Sequence, residues 1–82
     1  MESRELVYRG ARAKAFKDSE PYQQAFRAVE QNIIEGFLST EAHQADLREQ
    51  LHARYQALVA IDSQLQNVID DGEIAKEELD DE

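Results

Sequence analysis

Between Leu47 and Val68 the apolar residues fall at Leu47, Leu51, Leu58, Ile61, Leu65 and Val68, in alternating steps of four and three that Arg54 interrupts. A strand turns successive side chains to opposite faces and would scatter this set, whereas a helix gathers it into one narrow seam. A seam repeating every seven residues is what one helix needs to pack lengthwise on another. The stripe therefore points to an all-α chain whose organising event is helix pairing. With 82 residues and no cysteine, residues 1–82 make a single small helical domain that no disulfide can staple. Short helical chains of this kind gain missing burial by association, so completion by oligomerisation is expected.

Residues 3–17 read as an additional N-terminal helix with Leu6, Gly10, Ala13 and Phe16 on one weak face. Gly10 weakens it, since glycine inside a helix costs about 1 kcal/mol relative to alanine. A break is expected at Asp18-Ser19-Glu20-Pro21, because Ser19 is a good N-cap and Pro21 suits a first turn. The second helix, about 20–38, shows Tyr22, Phe26, Val29, Ile33 and Phe37 on one face. Ser39 or Thr40 then offers an N-cap for a long third helix, about 41–70, and the short turn predicts an antiparallel helical hairpin. Asp71-Gly72 reads as its end, with glycine at the left-handed C′ position, and residues 73–82 as an acidic, frayed tail.

In such a hairpin facing residues sum to about 82, so the first helix would continue along the third, with Phe16 meeting Leu65 and Val68. Arg12 would then fall near Asp70 and Arg9 near Glu73. The expected internal residues are Phe26, Val29, Ile33, Phe37, Leu47, Leu51, Leu58, Ile61 and Leu65. Ile34, Leu38, Tyr55, Val59 and Ile69 form a second apolar line to one side. A spare flank of this kind suggests outward contact with another helix, and with Arg54 these residues are the candidate interaction site. Arg54 either snorkels, reaches Glu30 or Glu35, or sets register across a dimer seam.

The net charge is −9, unevenly spread. Arg4, Arg9, Arg12, Lys14 and Lys17 outnumber Glu2 and Glu5 at the start, whereas residues 70–82 hold eight carboxylates against Lys76. A chain this acidic is repelled by phosphate backbones, so direct nucleic-acid binding is not expected. No apolar run approaches membrane-spanning length, and the chain reads as soluble and cytoplasmic, without a membrane partner.

Catalytic constellations are missing from the sequence. Glu49-x-x-His52 matches half of a di-iron carboxylate pattern, but both residues project from the outer flank, away from where metal ligands must converge. His43 and His52 are nine apart, which is not ligand spacing on one helix face. Ser19, Ser39 and Thr40 are explained as caps, and the three glycines form no phosphate loop. The reading is of a non-enzymatic protein without cofactor or metal.

The runs Phe16-Lys17-Asp18-Ser19-Glu20-Pro21-Tyr22-Gln23-Gln24-Ala25-Phe26, Leu47-Arg48-Glu49-Gln50-Leu51 and Leu65-Gln66-Asn67-Val68-Ile69-Asp70-Asp71-Gly72 resemble a group of short helical proteins of tailed bacteriophages and prophages. The resemblance covers about residues 12–76 and transfers no catalytic position. It implies a protein of the head and packaging region, found in the host cytoplasm or the virion. The expected function is that of a helical assembly or adaptor protein whose partner is itself, as a homo-oligomer, or a larger phage or host protein. The alternative expectation is an acidic inhibitor that mimics nucleic acid on a host protein through residues 70–82.

Overall fold

The computed structural model describes residues 2–81, so Glu82 of the acidic run lies outside the described residues. Three helices follow one another: α1 (Ser3–Asp18), α2 (Glu20–Leu38) and α3 (Ala45–Asp80). The described residues contain no strand. Ser19 alone separates α1 from α2. Its backbone is extended, its hydroxyl donates to the Phe16 carbonyl (2.6 Å) and accepts from the Tyr22 amide (3.4 Å), and Pro21 sits in the first turn of α2. One residue thus ends a helix and starts the next.

Their lengths, 16 and 19 residues, nearly match the 36 residues of α3 when laid end to end. The contacts follow suit. Gly10 lies against Gly72, Lys17 against Gln66, Tyr22 against Asp62 and Gly36 against Leu51, descending α3 as α1 and α2 ascend. The molecule measures 61 × 23 × 15 Å. A helix with its side chains is about 10–12 Å across, so the body is two helices wide and one thick. Its radius of gyration, 17.6 Å, is far above the roughly 12 Å of a compact domain of this length. No central core exists in such a slab. Burial is confined to one line, where Ile33, Leu51, Ile69 and Ala75 are the buried apolar side chains among the described residues.

The third helix departs from expectation at both ends. It starts at Ala45, because Ser39 and Thr40 turn their hydroxyls back to the carbonyls of Glu35 and Phe37 and finish α2 instead of opening α3. The loop 39–44 is tied to α3 by Arg48, whose guanidinium donates to the Glu41 carbonyl (2.6 Å), the Ala42 carbonyl (3.2 Å) and the Thr40 hydroxyl (3.3 Å). At the other end α3 passes straight through Gly72 to Asp80, so residues 73–80 are helix and not a frayed tail. Gly72 has no positive φ and caps nothing. It is buried against α1: a Cβ on it would stand 2.9 Å from the Gly10 Cα and 2.9 Å from the Leu6 carbonyl oxygen. Ala75, 2% exposed, continues the same close packing one turn later.

The seam is also rotated. Leu51, Leu58 and Leu65 face inward as expected, but the companion line is Asp62 and Ile69, with Ile61 60% exposed and Leu47 likewise outside. After Leu58 the inward step is four residues, to Asp62, and after Leu65 the four-residue step to Ile69 is the more deeply buried, with Val68 part-buried at three. On α2, Ile33 is buried while Val29 and Phe37 are each 45% exposed, and on α1 Lys17 takes the inward place expected of Phe16. Phe16, half-exposed, packs on the Tyr22 ring with centroids 5.0 Å apart. Arg12 stands over the Tyr8 ring, 5.6 Å from its centroid.

Candidate interaction surface

Near the 39–44 loop, α2 and α3 meet through Ile33 and Leu51, 7% and 6% exposed. Gly36 makes room for that leucine, since a Cβ there would lie 3.3 Å from Leu51 Cδ2. Beside this contact the two helices leave open space. Ile33, Ile34, Phe37 and Leu38 of α2, with Leu51, His52 and Tyr55 of α3, line an open groove of about 320 Å³. None of these side chains is an acid, a lysine or an arginine, although the chain is 33% charged. No family model, curated protein or solved structure matches the chain.

Of the six residues singled out from sequence, the groove brings together Ile34, Leu38 and Tyr55. Leu38 stands proud at its rim, 78% exposed. Val59 is part-exposed one turn along α3 from Tyr55 and extends the same flank. Arg54 does not belong with them. It lies across the Ile33–Leu51 contact, beside Val29 and Asn32. Ile69 is corrected outright: at 6% exposed it is part of the interior, because the rotated seam carries it under α1. Phe37 and His52 belong to the surface and were missed. The spacing of Phe37 predicts an interior place, and the Glu49-x-x-His52 spacing carries no signal for a groove position.

A polar junction marks the middle of the molecule, where α1 passes to α2. The Tyr22 hydroxyl donates to the Asp62 carboxylate (3.0 Å), and the Lys17 ammonium donates to Gln66 Oε1 (2.7 Å) and pairs with Asp62 (3.5 Å). The Tyr22 phenol is held above its ordinary range, first by desolvation and then by the hydrogen bond and negative charge of Asp62. This network explains how a carboxylate is tolerated on the inward face. Lys14 pairs with Asp18 at 3.3 Å, so parts of the basic N-terminal segment are engaged within the chain. Among the described residues, no group of three His, Cys, Asp or Glu side chains is placed to hold a metal ion. Nor is any helix among them long and apolar enough to cross a membrane.

Proposed function

We propose that this chain is a non-enzymatic helical assembly or adaptor protein, an α2–α3 hairpin that acts through helix-to-helix contact and is completed by association. The observation that carries the reading is the single-layer body, 15 Å thick, with an uncharged groove open on its flank. A helix hides its apolar stripe only by being covered, and one layer leaves one flank of each helix without cover. The resemblance of residues 12–76 to small phage helical proteins supports a place in phage morphogenesis or in the virion.

One observation favours a second reading. Because α3 continues to Asp80, the carboxylates of Asp70, Asp71, Glu73, Glu77 and Glu78 ride on a rigid rod, the form a phosphate mimic needs. Ionic strength separates the two. The tagged chain is used to capture partners, itself included, at low and at molar salt. Helix contact predicts capture that survives salt and is lost in Ile34→Asp and Val59→Asp. Mimicry predicts loss at high salt and in a Glu73→Gln, Glu77→Gln, Glu78→Gln, Asp80→Asn variant, which neutralises the exposed run without cutting away the buried Ala75. Capture indifferent to Ile34→Asp and Val59→Asp sinks the adaptor reading.

A further inference from the structure

We propose that the groove is closed by a second copy of this chain, docked about a two-fold axis with groove against groove and the two molecules antiparallel. The inference rests on the helix-contact reading above and names its partner.

Surface area supplies the first argument. A compact monomer of 9.4 kDa exposes about 5,000 Å². This chain exposes 6297 Å². The excess, roughly 1,300 Å², is more than the about 800 Å² that each partner contributes to a standard interface. The surplus belongs to the elongated slab as a whole, and a second copy laid on one face could cover part of it without rearranging either chain.

Charge decides where and in which direction. Two chains of −9 repel, so the contact must avoid the acidic stretch of α3. Residues 27–56, which contain the groove, hold three arginines against five carboxylates and account for only −2 of that total. An antiparallel pair overlapping through these halves sends the two acidic ends outward on opposite sides. The groove at its centre is lined by no acid, lysine or arginine.

Shape completes the case. A two-fold contact places the same patch on both sides, so the patch must carry both a projection and a recess. Leu38 is the projection. The recess lies beside it, floored by Ile33 and Leu51 and walled by Tyr55. Each copy would seat its Leu38 in the other's recess, a knob in a hole made twice.

Light scattering and sedimentation equilibrium of the full chain test this from low-micromolar to submillimolar concentration. The expected mass is twice 9.4 kDa at the upper end. Leu38→Asp, a change at a side chain that supports nothing inside its own chain, should weaken association at least tenfold with helical circular dichroism unchanged. Ile61→Asp, 60% exposed and outside the groove, should keep the double mass. Since the chain has no cysteine, Ser39→Cys, exposed beside Leu38 but outside the groove lining, can carry a spin label, and a short label-to-label distance between copies is expected. A single-chain mass at every concentration, a dimer that survives Leu38→Asp, or labels with no intermolecular coupling overturns the proposal. If the parent is a monomer yet Ile34→Asp abolishes capture of a different protein, the second copy is refuted and the adaptor reading stands. If neither is seen, both fall.

Discussion

At one end of the molecule α1 and α3 meet backbone to backbone, with Gly10 on Gly72 and the virtual Cβ of each only 2.9 Å from the other's Cα. At the other end α2 and α3 are spaced by branched side chains, chiefly Ile33 and Leu51, and part to leave a groove. The same long helix thus serves two kinds of packing. Where residues are small, the helices approach until main chain meets main chain, and the concavity beside that contact, about 370 Å³, takes in Lys14, Glu73 and Lys76. Where they are large, one contact forms and the neighbouring apolar groups remain available.

The two ends should fail under opposite changes. Removing atoms hurts most at the leucine end: Leu51→Ala is expected to cost about 2–3 kcal/mol in urea unfolding, the lower part of the usual range because open space already lies beside it. An unchanged midpoint would mean that Ile33 and Leu51 do not hold these helices together. Adding atoms hurts at the glycine end. Gly72→Ala gains about 1 kcal/mol of helix propensity yet should destabilise by about 1–3 kcal/mol net, since backbone on both sides cannot yield. The identical substitution at Gly36 should be neutral or mildly stabilising, because its new methyl meets only a leucine side-chain tip that can turn aside. Thermal melts of the pair should move in different directions, and equal losses would dissolve the distinction between the ends.

The smallest effect belongs to the junction between them. Tyr22→Phe removes the hydrogen bond to Asp62 and should cost about 1 kcal/mol or less at neutral pH. A phenol whose folded value is raised stabilises the fold fully below its ordinary 10.0, and that contribution is lost as pH climbs past the raised value. The difference between the absorbance titrations of parent and Tyr22→Phe should show a step centred above 10.0. A step at or below that value would show the phenol free of Asp62.

The Ser19–Pro21 break and the α2 boundaries were legible because their signals are local: a hydroxyl that caps and a ring that fixes φ. The line Leu51, Leu58, Leu65 was legible by period. Its companion was not, since steps of three and four both keep a helix face and Ile61 is the more apolar choice. Only Lys17 and Tyr22, far away in sequence, make Asp62 the inward residue. Gly72 misled for the same reason. A glycine after two aspartates reads as a helix end until Gly10 is known to lie against it. For the candidate surface, Ile34, Leu38 and Tyr55 followed from periodicity, whereas Ile69 was misplaced by the same rotation of the seam that misplaced Ile61.

The unequal connections also impose an order of events. Bringing Leu51 to Ile33 closes a segment of 18 residues, whereas bringing Gly72 directly to Gly10 closes one of 62, at an entropic disadvantage of about 1 kcal/mol. Once α2 is seated, however, α1 is tethered one residue away through Ser19, and the long closure never has to be made. The chain should zip from its turn outward, with pulse-labelled amides of α2 protected before those of α1, and both termini the last to find their places.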